Sequence, residues 1–305
     1  MNVLVTGITG YVGAQLAPRL LRDGHSVRGF SRAPLGGLGV PVCAGDAVSG
    51  AGLDRALHGI NLAYYLIHSM EAKTAGSASF GVRERAAAEN FARAARGAGV
   101  ERIVYLGGLL PASGQLSAHL ASRLAVEEIL LWGAPGSVAL RASIVVGARS
   151  VSFRFLVRLV ERLPVLALPA WRTHRTAPID ERDAVELLAR AGTEDGVRGL
   201  SLDIGGPDVV SYGELIERIR DHMLVDRPTI AFKRLTVTPI ASRISALIAG
   251  EEHALVGPLM ESLHQDLLPR DDRGAAILGV KLHTLDAAIE RALRDWEASQ
   301  PLAAR

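Results

Sequence analysis

A doubly wound parallel α/β sheet with a smaller C-terminal lobe is the fold class this sequence predicts. Two observations predict it. Short apolar runs alternate with helix-period segments up to about residue 150, the rhythm of right-handed βαβ units. The first of those runs ends in a turn with glycines at Gly7, Gly10 and Gly13, directly before a helix-period segment.

The elements follow in order. Residues 3–5 are an apolar run that stops at Thr6-Gly7, and Val12, Leu16, Leu20 and Leu21 then share one helical face up to Gly24. A glycine just past a helix end takes the left-handed conformation without a Cβ penalty. Residues 26–30 and 40–44 read as the second and third strands, and 53–57 as a short helix. Residues 62–67 are continuously apolar, as expected of a strand covered on both faces. A helix over 83–98, a strand over 102–106, a helix over 121–132 and a strand over 137–146 complete the series.

The rhythm then changes. Residues 153–163 are helical, and 164–178 read as a loop rich in Pro, Trp and Arg. Asp183 reads as the cap of a helix reaching residue 191. A strand over 200–204 and helices over 212–222 and 285–296 follow. Residues 1–150 therefore read as a Rossmann-type nucleotide-binding domain, and 151–305 as a mainly helical substrate lobe with segments returning to the sheet. Such a lobe would lie over the carboxyl edge of the strands, where open α/β sheets hold ligands.

Composition narrows the function. The chain has 305 residues, 49% of them hydrophobic, and 34 basic against 32 acidic residues leave a formal charge of +2. That near-balance argues against a nucleic-acid partner. Cys43 is the single cysteine, so no intrachain disulfide forms, and a lone buried thiol in a reducing compartment is the plain reading. No run reaches the ~18 apolar residues of a membrane span, and the N-terminus shows no cleavable signal pattern. The expectation is a cytoplasmic protein, monomer or homodimer, whose partner is a small-molecule substrate rather than a membrane.

The turn Thr6-Gly7-Ile8-Thr9-Gly10-Tyr11-Val12-Gly13 carries the cofactor reading. Gly7 permits the tight turn, Gly10 lets backbone amides approach a pyrophosphate, and Gly13 lets helix and strand pack closely. The helix N-terminus adds N–H donors, which puts Thr9, Tyr11 and Val12 in the contact set. NAD sites place an acid at the end of the second strand, on the ribose 2′-hydroxyl. From Gly24 to Gly45 there is no Asp or Glu; Ser31-Arg32 stands there instead. A guanidinium suits a 2′-phosphate, so NADP is expected, with a solvated Arg32 as the plainer alternative. Asp46 suits either an adenine amino group or the cap of the next turn. Leu66 and His68, at the end of the fourth strand, complete the expected cofactor contacts.

These motifs resemble the short-chain dehydrogenase/reductase superfamily, specifically its atypical, NmrA-like NAD(P)-binding branch. The matching stretches are TGITGYVG, Gly45-Asp46, AARGAGVERIVYLGGL, VALRASIVVG, PIDERDAVELL and IGGPDVVSYGEL. The resemblance implies a Rossmann domain, a small substrate lobe and a nicotinamide cofactor between them. It also implies a Tyr and a Lys four residues apart on a helix, with Ser or Thr on the preceding strand. This chain departs from that pattern. Four positions beyond its five tyrosines stand Gln15, His68, Ser69, Leu109 and Ile216. The expected pair falls instead on His119 and Arg123, and the Ser position falls in Leu106-Gly107-Gly108.

His119 and Arg123 share a helix face and are the candidate catalytic pair, His119 as proton donor titrating near a usual histidine value and Arg123 at the ribose. A capped helix start with a solvated charge is the plainer reading. Tyr65 and Trp171 are the candidate substrate contacts, Trp171 because an aromatic beside Arg172, His174 and Arg175 suits a flat or acidic ligand; core packing competes for both. No metal site is expected, since no His/Cys cluster has ligand spacing, and no G-x-S-x-G elbow supports a hydrolase. The expected function is an NADP-dependent oxidoreductase reducing a small, largely apolar ketone, enone or quinone. A non-catalytic NADP(H) sensor, or a cyclase or isomerase that retains the cofactor fold, stands beside it.

Overall fold

Val3, Leu4 and Val5 are fully buried because β1 (Asn2–Thr6) runs through the middle of a parallel sheet covered on both faces. The structure is a computed structural model describing residues 1–33, 37–68, 80–168, 170–231 and 265–300. The other strands of the sheet are β2 (Ser26–Ser31), β3 (Val42–Ala44), β4 (Leu62–Tyr65), β5 (Arg102–Gly108), β6 (Val138–Ala142) and β11 (Ser201–Ile204). Their order is β11-β6-β5-β4-β1-β2-β3, every pair parallel. This is the Rossmann-type arrangement. Winding reverses between β1 and β4, so the loops leaving their carboxyl ends diverge and open a crevice.

Helices cover both faces. On one, α1 (Tyr11–Arg22) and α6 (Glu181–Ala191) enclose a core of Val3, Val5, Leu16, Leu20, Leu187 and Leu188. On the other, α2 (Leu53–Leu57), α3 (Phe80–Gly97) and α4 (Ala118–Leu131) enclose Leu4, Tyr65, Phe91, Ile103 and Tyr105. The lobe has its own core, where α5 (Val151–Arg162), α7 (Tyr212–His222) and α9 (Leu285–Glu297) meet around Phe153, Ile216, Ile289 and Trp296. A short helix, α8 (Arg273–Ile277), packs on β11. Among the described residues no helix is long and apolar enough to cross a membrane.

An ion network pins the β11 edge. Buried Arg141 on β6 donates to both oxygens of buried Glu127 on α4, at 2.6 and 2.9 Å. Ser201 donates to Glu127 at 2.6 Å, and Arg270 grips Asp203 of β11 with two bonds of 2.8 Å.

Several elements differ from the sequence expectation. The strand expected over 137–146 breaks at Ser143, whose N–H bonds Ile204 and whose hydroxyl meets Thr176, both at 3.0 Å. The chain leaves the sheet there, and β7 (Val145–Val146) pairs with β10 (Ile179–Asp180). The expected loop over 164–178 holds β8 (Leu166–Leu168), a 3-10 turn (Ala170–Thr173) and β9 (Arg175–Thr176). Their partners, β12 (Val210–Ser211) and β13 (Thr229–Ala231), come from distant sequence that no local pattern discloses. Asp183 is not a cap: Asp180 caps α6, and Asp183 accepts from the His283 N–H at 2.7 Å and meets the His283 ring at 2.6 Å. Helices α3 and α4 each start three residues earlier than expected, and the Ser117 cap puts His119 in the first turn of α4.

Candidate functional site

The crevice begins at the glycine turn. Gly7 sits at φ +62°, and a Cβ there would lie 2.8 Å from the Leu66 carbonyl oxygen, so the loops after β1 and β4 touch. A Cβ on Gly13 would lie 2.4 Å from the Gly7 oxygen and 2.8 Å from Ile8 Cα, both immovable backbone. Gly10 is the N-cap of α1 and brings no capping side chain, so nothing of its own covers the first helical amides, Tyr11 and Val12 among them. Thr6 fastens the two loops, donating to the Tyr64 oxygen and accepting from the Leu66 N–H, each at 3.0 Å. Thr9 is exposed on the turn, and Val12 packs on the core beneath it.

Strand register sets the next residues. Thr6 pairs Phe30, so Ser31 and Arg32 follow one step beyond, level with the glycine turn. Arg32 is exposed, and the Ser31 hydroxyl bonds the Ala33 carbonyl. Ala44 pairs Ser31, which brings Asp46 to the same edge. Of the two readings of Asp46, the turn is realised: its carboxylate accepts from the Val48 N–H at 3.0 Å.

His119 and Arg123 meet His68. A guanidinium N–H of Arg123 lies 3.2 Å from His68 Nδ1, and the same group bonds the Leu106 carbonyl and stacks 5.0 Å from the Tyr105 ring centre. The His68 and His119 rings are 5.2 Å apart, with Phe80 against both, at 6.1 and 5.8 Å. Buried Glu84 places a carboxylate oxygen 3.8 Å from His68 Nδ1. The expectation of a histidine titrating near its usual value is not met. Burial first, then the neighbouring His68, which repels a second proton, and the Arg123 charge lower the His119 pKa to about 4. Burial and the Arg123 charge lower His68 as well, with Glu84 opposing them. At neutral pH both rings are neutral: hydrogen-bonding groups, not stored acids.

Tyr65 and Trp171 are both buried, the core-packing alternative for each. β4 is covered on both faces, so the alternation that separates Tyr64 from Tyr65 exposes neither. Tyr65 is 2% exposed and packs edge-on to Phe91 at 5.0 Å. Trp171 is 4% exposed and packs edge-on to Tyr212 in the lobe core; the cations around it are neighbours in sequence, not a ligand cage.

Sequence reasoning missed Glu84, Phe80, Glu181 and Gly147. Glu84 carried a signal, since it stands at helical spacing with buried Ala87, Ala88 and Phe91 and so interrupts an apolar face. Glu181, at the start of α6, accepts the Tyr11 hydroxyl at 2.5 Å, and burial raises the pKa of both groups. Gly147 makes room for that bond: its Cβ would lie 2.0 Å from the Tyr11 oxygen and 2.1 Å from Glu181. The first turns of α1 and α6 are thereby tied together.

Comparison with known proteins agrees with this geometry. The family model described as the NAD dependent epimerase/dehydratase family matches residues 3–134, the stretch carrying the glycine turn, β4, His68 and His119. The ceramide reductase of Caulobacter vibrioides is 29% identical over 191 residues, 61% of this chain and 59% of that protein. A 3 beta-hydroxysteroid dehydrogenase/Delta 5-->4-isomerase of Mycobacterium tuberculosis is 37% identical over 113 residues, 34% of this chain and 30% of that one. The chain thus spans less than two thirds of the length of either relative. Among solved structures, the UDP-glucuronic acid 4-epimerase of Bacillus cereus, in complex with UDP-glucuronic acid and NAD, has the same fold. Its TM-score is 0.70 at 16% identity, over 97% of this chain and 98% of that chain.

Proposed function

We propose that the protein is an oxidoreductase of the epimerase/dehydratase type that uses NADP(H) and reduces an apolar ketone, enone or quinone. The observation that carries the reading is the glycine cradle at the point where sheet winding reverses. Gly7 and Gly13 leave no room for a Cβ, and the uncapped N-terminus of α1 faces the same turn. These are the demands of a pyrophosphate. Gly7, Thr9, Gly10, Tyr11, Val12 and Gly13 would hold it, Ser31 and Arg32 would take the ribose 2′-phosphate, and Leu66 and His68 would line the nicotinamide side of the cofactor. The NADP preference rests on Arg32 and on the missing acid after β2. Relatives named for ceramide and steroid chemistry favour an apolar substrate.

When bound, the reduced nicotinamide supplies a hydride with its electron pair to the carbonyl carbon. The chain's task is then to orient the substrate, exclude water and steady the oxygen until it takes a proton. His119 and His68 are neutral and donate hydrogen bonds to that oxygen, Arg123 fixes their arrangement, and the proton comes from solvent. The lobe closes the crevice from above.

Two measurements test the reading. Titration with NADPH and NADH should give tighter NADPH binding, and Arg32→Ala should weaken NADPH roughly tenfold or more, at about 1.4 kcal/mol per tenfold, with NADH little changed. Equal losses for both cofactors would overturn the NADP assignment. Consumption of NADPH with a ketosteroid, a long-chain ketone and phenanthrenequinone tests the chemistry. Tight NADPH binding with no turnover on any of them would instead favour a cofactor sensor, the reading that a missing Tyr-Lys pair supports.

A further inference from the structure

Beyond this reading, and resting on it, the geometry points to a second function for Arg123: it sets the tautomer of His68. We propose that Arg123 holds His68 Nδ1 as a hydrogen-bond acceptor, so that the ring carries its one proton on Nε2 and serves as a neutral donor to the substrate carbonyl oxygen.

A guanidinium has only N–H groups and always donates. Its nitrogen lies 3.2 Å from His68 Nδ1, so that nitrogen must offer its lone pair. In a neutral imidazole the proton is then on Nε2. The competing partner is Glu84, whose oxygen is 3.8 Å from the same Nδ1, within ion-pair range and beyond hydrogen-bonding range. Were Glu84 to win, Nδ1 would carry a proton and the ring would tend toward imidazolium. Arg123 is well fixed for the contest, because it also bonds the Leu106 carbonyl and lies over Tyr105. Among the described residues, the titratable and charged groups against His68 are Glu84 from α3 and Arg123 and His119 from α4. The lowered proton affinity of His68 agrees with this arrangement.

A neutral donor suits the proposed reaction. It stabilises developing negative charge on oxygen without carrying a net charge into the crevice. In this chain the Arg position that replaces the expected lysine acts on a histidine from the loop after β4, 55 residues away in sequence.

Two-bond proton–nitrogen NMR of the full chain labelled with ¹⁵N-histidine reads the tautomer directly, with His68→Asn to assign the signal. The expected wild-type result at neutral pH is a neutral ring protonated at Nε2. In Arg123→Met, Glu84 should capture Nδ1–H, and the proton affinity of His68 should rise roughly tenfold or more, the size of effect a facing carboxylate exerts. Adding Glu84→Gln to Arg123→Met should reverse that rise. A wild-type His68 protonated at Nδ1, or charged at neutral pH, would overturn the proposal even if Arg123→Met failed to fold. So would an unchanged tautomer and affinity in a folded Arg123→Met. With NADPH and phenanthrenequinone, His68→Gln, which keeps an N–H in place, should retain far more kcat than His68→Leu, whose loss should approach ~10². Equal losses in the two would remove His68 from the oxygen. The NMR result does not depend on turnover, so an inactive protein with the expected tautomer would sink the oxidoreductase reading alone.

Discussion

Replacing His119 by Asn should flatten the dependence of stability on acid. The His119 ring is half-buried on α4 beside His68 and Arg123, and its pKa falls from an ordinary 6.5 to about 4 in the fold. A histidine whose folded value is depressed contributes stability that is complete above its unfolded pKa and lost as pH falls toward the folded one. The window is therefore from about 6.5 down to about 4. At about 1.4 kcal/mol per tenfold change in proton affinity, that gap is worth at most about 3.5 kcal/mol. Partial exposure of the ring lets solvent screen the charge, which reduces the expected loss to about 1–2 kcal/mol. Urea denaturation of wild type and His119→Asn, at about pH 7 and about pH 4.5, isolates this contribution from the carboxylates common to both. Wild type should lose about 1–2 kcal/mol more than the variant between the two conditions. Parallel losses, or a larger loss in the variant, would show that His119 is not held neutral by its surroundings.

Gly10→Val should leave the fold intact and abolish NADPH binding, because Gly10 has an ordinary extended φ of −72° and its side chain would occupy the turn; an unchanged NADPH titration in the folded variant would refute the cradle. Gly147→Ala should break the Tyr11–Glu181 bond by overpacking and cost about 1–3 kcal/mol. In a double-mutant cycle, adding Tyr11→Phe should recover part of that cost, and strict additivity would show that the contact is not the cause. Glu127→Ala should cost about 3–5 kcal/mol in denaturant, since it leaves Arg141 charged and buried without its main partner.

What was legible in the sequence is what is local. The glycine turn, the covered strand β4 and the amphipathic helices each declare themselves within a dozen residues, and the sheet follows from their alternation. The pairing of His119 with Arg123 was legible for the same reason, one turn apart on one helix. Their chemistry was not. The low pKa of His119 comes first from burial, which periodicity cannot rank, and then from His68, brought by the loop after β4. The Tyr11–Glu181 bond joins residues 170 apart. For Trp171 the charged sequence neighbours suggest a ligand face, while its spatial neighbours are Tyr212 and the lobe core. For Tyr65 the sequence leaves core and crevice open, and it is the packing of Phe91 from α3 that fills the core side.

The edge strand β11 has a consequence for synthesis. Its residues, 201–204, are made long after β6, which they complete, and α6, which covers α1, is also made after the lobe has begun. A nascent chain of 150 residues would therefore carry an unpaired β6 edge and a bare apolar stripe on α1, both invitations to aggregation. The sheet cannot be completed on the ribosome until β11, which ends at Ile204, has emerged. By the same logic, a fragment ending at residue 150 should be insoluble, whereas one ending just after β11 would retain the complete sheet.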